Sequence, residues 1–129
     1  IRNCFFQSIA NQGPYIRLAG TSSGLKIESC TFMHGGSTSM DDAIEILGAA
    51  QNTGVIIRDC DFLQASTAVV FTDCIDSAST TDGLVTVLRC YFPVGSDALE
   101  AAEQADFMVA ENYLMQGAAS VGGTLVLGT

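Results

Sequence analysis

A chain of 129 residues, nearly half of them hydrophobic, is long enough to close one continuous core and too apolar for a disordered tail. Fourteen acidic residues against five basic ones give a net charge of −9, which repels phosphates and argues against nucleic-acid binding. No apolar run reaches the roughly 18 residues of a membrane-spanning helix, and 13 glycines with only 15% charged residues suit a β-rich chain with many tight turns.

From the first residue onward the chain repeats one pattern, apolar-x-x-Cys-x-Phe. It occurs as Ile1-Cys4-Phe6, Ile27-Cys30-Phe32, Ile57-Cys60-Phe62 and Val87-Cys90-Phe92, with a degenerate fifth copy at Val109-Asn112-Leu114. Two residues before the apolar position stands another apolar residue: Leu25, Val55, Val85 and Phe107. Each copy therefore reads as one short strand with alternate residues pointing inward. Gly24, Gly54 and Gly83 precede the strands where a chain turning a corner needs positive φ. The first copy has no counterpart of Leu25 and begins without methionine. Residues 1–129 are thus expected to be a single domain excerpted from a longer protein.

A second strand is predicted after each motif, at Tyr15–Leu18, Ala43–Leu47, Ala68–Phe71, Ala98–Ala101 and Thr124–Leu127. Their inward residues would be Ile16, Ile44, Val69, Leu99 and Leu125. Strands of constant pattern joined by loops of varying length are the signature of stacked repeats, none of which can bury its apolar face alone. With neighbouring strands about 4.8 Å apart, the apolar residues form one inward stack, from Ile1 to Val109, and Phe6, Phe32, Phe62, Phe92 and Leu114 form another. Outside, Arg2, Glu28 and Arg58 alternate in charge, as do Asp59, Arg89 and Glu111. Such pairs fix register more than they add stability.

The pattern resembles the right-handed parallel β-helix superfamily, which includes pectate-lyase-like enzymes and phage tailspikes. In that family a stack of asparagines, sometimes cysteines, often fills a turn between two strands of each coil, and Cys4, Cys30, Cys60, Cys90 and Asn112 match that position over essentially the whole chain. The resemblance implies an all-β, right-handed parallel β-helix of about 4–5 coils with three short parallel sheets. It does not fix an activity, because one fold hosts unrelated functions.

The cysteines lack any C-x-x-C pair, and His34 is the single histidine. A line of thiols does not offer zinc its tetrahedron, so the ladder cysteines are expected as free thiols packed as small hydrophobes. Neighbouring coils are close enough for disulfides, but the odd count and even spacing speak against them. Cys74 falls outside the ladder and is expected in a loop, as an exposed thiol.

Enzymes resembling this chain carry carboxylates, sometimes with an arginine or lysine, on the outer face of one sheet. The matching column here would be Arg17, Glu45, Val70, Glu100 and Val126, with Val70 interrupting it. Catalytic candidates are Glu45, Asp41, Asp42 and Arg17, since a glycosidase needs two carboxylates about 5–10 Å apart. The bland alternative is a surface ion pair and a loop closed by Asp41-Asp42. The polygalacturonase segments N-T-D, G-H-G and R-I-K are missing, and His34-Gly35-Gly36 stands in the wrong order. Asp73, Asp76 and Asp82 share a predicted loop and offer oxygen ligands to Ca²⁺. No other cofactor is expected. Tyr91 and Tyr113, adjacent and outward, suit a sugar ring or a partner subunit. Two functions follow as expectations. The first is a structural or adhesive module of a phage or virus particle. It would be homotrimeric, located in the virion, and in contact with other virion proteins or surface polysaccharide. The second is a secreted polysaccharide lyase or glycoside hydrolase. No membrane partner is expected.

Overall fold

The computed structural model describes residues 1–9, 13–47, 52–66, 70–78, 85–93, 96, 98–101, 107–114, 119–121 and 125–128. In chain order the strands are β1 (Phe5–Ser8), β2 (Ile16–Leu18), β3 (Ser22–Ser23), β4 (Lys26–Glu28), β5 (Thr31–His34), β6 (Met40–Ile46), β7 (Asn52–Thr53), β8 (Val55–Arg58) and β9 (Asp61–Gln64). They continue with β10 (Phe71–Ser77), β11 (Val85–Leu88), β12 (Tyr91–Phe92), β13 (Leu99–Ala101), β14 (Phe107–Ala110), β15 (Tyr113–Leu114), β16 (Ala119–Val121) and β17 (Leu125–Gly128). No helix occurs among the described residues, hence none long and apolar enough to cross a membrane.

Three five-stranded sheets take one strand from each repeat: β4-β8-β11-β14-β17 before the cysteines, β1-β5-β9-β12-β15 after them, and β2-β6-β10-β13-β16 from the second strands. The pairings are parallel, and Ile27, Ile57, Val87 and Val109 lie in one register column. A small sheet, β3-β7, joins the loops.

The motif, read as one strand by its alternation, is divided at the turn expected near the ladder cysteines into two strands in different sheets. Between them sits a residue in the left-handed region: Asn3, Ser29, Asp59, Arg89 or Glu111, with φ between 49° and 55°. Non-glycine residues avoid that region. Here each turn is held by its neighbour, as in Ser29 N–H donating to Arg58 O at 3.1 Å and Asp59 N–H to Leu88 O at 3.0 Å. Gly24 and Gly54 have φ of +66°, as the corner expectation requires. Gly83 lies outside the described residues.

The core runs along the repeats. Phe6, Phe32, Phe62 and Phe92 stack face to face, each ring 5.0 Å from the next and nearly parallel. Phe32, Phe62 and Phe92 are fully buried among Ile27, Ile57 and Val87. Burial of large apolar side chains, repeated in every layer, is the main stabilising term. On the surface the alternating charges pair as expected. Glu28 accepts from Arg2 Nε at 2.9 Å and Arg58 Nε at 2.6 Å, and Asp59 accepts from Arg89 Nε at 2.7 Å. Glu28 is not an exposed partner, however: only 4% of it meets solvent, because both guanidiniums cover it.

Two second strands differ from the sequence expectation. The third is Phe71–Ser77 rather than Ala68–Phe71, so Ile75 is the buried partner of Ile44; Val69, expected in that place, lies outside the described residues. The apolar pair Val69-Val70 drew the expectation to the wrong segment, because Phe-Thr-Asp-Cys-Ile-Asp-Ser is polar enough to read as a loop. The fifth is Ala119–Val121, pairing with β13. The predicted strand Thr124–Leu127 instead overlaps β17, which continues the pre-cysteine sheet opposite Phe107 and Val109. Cys74, expected as an exposed loop thiol, is fully buried in β10.

Candidate functional site

The shift of β10 changes the acidic column on the second-strand sheet. The register reads Arg17–Glu45–Asp76–Glu100–Ser120 across β2, β6, β10, β13 and β16. Asp76, not Val70, stands between Glu45 and Glu100, so carboxylates follow one another through three repeats.

Asp42 joins this column through a break in strand alternation. Along β6 Ala43 and Ile44 are consecutive and both fully buried. Inward-outward alternation therefore slips by one residue, and Asp42 and Glu45, three apart, reach the same side. Carboxylate oxygens of Asp42, Glu45 and Asp76 all lie within 4.8 Å of one another. Arg17 Nε donates to Glu45 Oε2 at 2.5 Å, placing the one cation of the column at its end.

Crowding sets the protonation of the cluster. Burial, and then the charges of Asp76, Glu45, Asp41 and Glu100, push the Asp42 carboxyl up to about 7. Burial, Glu100 and Glu45 raise Asp76 as well. Near neutral pH Asp42 thus exchanges a proton while its neighbour Glu45 is ion-paired with a guanidinium. An acid and a carboxylate within reach of one another, in unlike environments, is the arrangement that acid–base chemistry uses.

Of the residues singled out in the sequence, Arg17, Glu45 and Asp42 come together. Asp41 is exposed on β6 and is not part of the three-carboxylate group. Asp73 and Asp76 lie in β10 rather than in a loop. Asp73 is buried opposite Asp42 in register, and Asp76 turns to the cluster. Asp82 lies outside the described residues. Tyr91 and Tyr113 are register neighbours, as expected. His34 is fully buried, its Nε2 2.6 Å from Thr38 O, and belongs to the packing around Phe71.

Asp76 was legible through a second repeat that the cysteine ladder overshadows. Asp42-Ala43-Ile44-Glu45, Asp73-Cys74-Ile75-Asp76 and Asp97-Ala98-Leu99-Glu100 share the form Asp-small-aliphatic-acid. The register aligns the first two residue for residue. Asp97 lies outside the described residues, while Glu100 takes its place opposite Asp76. No family model matches the chain, and no curated protein or solved structure matches it either.

Proposed function

We propose that this chain is a right-handed parallel β-helix that hydrolyses polysaccharide on the outer face of its second-strand sheet. Three parallel sheets drawing one strand from each repeat support the helix reading, and strand crossovers in parallel sheets are almost always right-handed. The observation that carries the function is the Asp42–Glu45–Asp76 cluster. Like charges stacked on adjacent strands oppose folding, and an aspartate whose pKa is raised lowers stability at neutral pH. A rod built only for stability gains by losing it. Costly groups placed together on an outer face support a working site.

In this reading Asp42 is the general acid, protonating the glycosidic oxygen, and Glu45, held by Arg17, is the opposing carboxylate. One oxygen of each lies within 4.8 Å of the other, close enough for the pair to flank one glycosidic bond. The same three carboxylates are also a donor set for Ca²⁺, the cation of the lyase alternative.

The test is incubation of the folded chain with acidic and neutral polysaccharides, following new reducing ends and, separately, the absorbance of unsaturated sugars. Cleavage abolished by Asp42→Asn and Glu45→Gln supports the hydrolase. Unsaturated products that require Ca²⁺ make it a lyase. No cleavage by folded protein across the panel refutes both. The adjacency of Tyr91 and Tyr113 favours a second reading in that event: a homotrimeric structural or adhesive rod of a virus particle. Loss of a three-fold assembly in Tyr91→Ser would support it.

A further inference from the structure

The second-strand face leaves the cysteine column unused. Cys4, Cys30, Cys60 and Cys90 occupy the same place in four successive repeats. Each follows the left-handed residue, and each Sγ donates to the carbonyl two residues before it: Arg2 O at 3.4 Å, Glu28 O at 3.3 Å, Arg58 O at 3.2 Å and Leu88 O at 3.4 Å. Equal local geometry means equal side-chain direction, so the sulfurs repeat with the spacing of the repeats. That spacing is measured two residues further on, where the phenylalanine rings stand 5.0 Å apart at each step. Cys30, Cys60 and Cys90 are buried, Cys4 is half-buried, and no disulfide joins any of them. Asn112 ends the column by accepting from Cys90 N–H at 2.7 Å and donating to Val87 O at 3.0 Å.

A step of 5.0 Å decides what such a column accommodates. A disulfide needs Cβ atoms about 3.5–4.5 Å apart, which neighbouring repeats could reach with small adjustments, but all four cysteines are free. Zinc needs four donors in a tetrahedron, and a line has none to spare off its axis. A soft cation that takes two sulfurs in a straight line needs them about 4.6 Å apart, taking a metal–thiolate bond of about 2.3 Å. Small side-chain rotations close the difference. Thiolates select soft cations of the Cu(I) class.

We propose that the cysteine column is a binding site for soft, two-coordinate monovalent cations of the Cu(I) and Ag(I) class, one ion bridging Cys4 and Cys30 and another bridging Cys60 and Cys90. Each ion replaces one thiol proton: the cation and two thiols give a thiolate–metal–thiol bridge and a released H⁺, with no change of oxidation state. The bridge is neutral, which suits an interior where an unpaired charge is costly.

The experiment is anaerobic titration of the reduced, folded chain with Ag(I). Stoichiometry is read by native mass spectrometry, fold by far-ultraviolet circular dichroism, and coordination by X-ray absorption at the silver edge. Wild type is expected to take up about two ions without loss of β signal, each with two sulfur neighbours in line. Cys60→Ser should halve the uptake, and Cys74→Ser, off the column, should leave it unchanged. Uptake only as the β signal collapses, equal losses in the two variants, or any coordination other than two sulfurs overturns the proposal. Should Cys60→Ser fail to fold, the absorption spectrum of the wild type decides the matter alone.

Discussion

Asp42→Asn should stabilise the protein, by an amount that grows as pH rises from the unfolded to the folded pKa of Asp42 and is full above it. Asparagine copies the protonated carboxyl in size and polarity, so the substitution removes the charge and little else. In the folded chain the carboxyl is pushed from 3.8 to about 7, so between those values the folded state holds a proton that the unfolded state has released. Stability contributed by such a group is complete below the unfolded value and is lost as pH rises through the folded one. A difference of about 3 in pKa corresponds to about 4 kcal/mol in full. Asp42 is only half-buried and solvent screens it, so about half, ~2 kcal/mol, is the reasonable expectation. With an unfolding entropy of about 2.1 cal/mol/K per residue, that raises Tm by about 7 °C. The assay is thermal unfolding by circular dichroism at about pH 8 and about pH 4, with exposed Asp61→Asn as control. A gain at the higher pH that vanishes at the lower one, absent from the control, is the expected result. An equal effect at both pH values, or a loss at the higher one, would refute the electrostatic account of the cluster and remove the main support for a working site there.

The remaining predictions probe the ladders. Cys60→Asp should badly destabilise the fold, because it buries a charge without a partner where Cys60 has no exposure; near-wild-type melting would mean the cysteine does not face inward. Phe62→Ala should cost about 3–5 kcal/mol by urea denaturation, since it empties the middle of a ring stack. Gly36→Ala should cost about 1–3 kcal/mol, because the added Cβ would lie 2.9 Å from Ile9 O and 2.8 Å from His34 Cε1; Gly24→Ala meets no neighbour and acts through its φ of +66° alone. The Arg2 hydrogen bond, with that of Arg58, holds Glu28 below its ordinary 4.5. Its stabilisation is therefore present above that value and lost as pH falls below it. Glu28→Gln should flatten the acid limb of a pH–Tm profile.

Much of the architecture was legible in residue pattern alone. The cysteine and phenylalanine ladders announce themselves because one residue type returns at one place in a short motif, and the charges beside them alternate in the order in which they pair. Arg17 and Glu45 were legible for the same reason, being one repeat apart on well-defined strands. Alternation did not show the break at Ser29, Asp59 and Arg89, because a residue entering the left-handed region to change sheets leaves no mark on it. Asp42 was a candidate beside Asp41, but alternation could not choose between them, since it does not bring residues three apart to one side and only the consecutive burial of Ala43 and Ile44 does so.

The sequence by itself determined the β class, the parallel repeats and the identity of the inward ladders, because a period of two within strands and a recurring motif between them are local properties that burial enforces. Only the tertiary structure decided which acids share a face. The connections between second strands vary in length, so neither spacing nor apolarity tells Phe71–Ser77 from the more apolar segment before it. Hydrogen-bonded register against β6 and β13 does, by placing Asp76 between Glu45 and Glu100. Register is a relation between distant segments, and the carboxylate cluster, with whatever chemistry it performs, exists only once that relation is made.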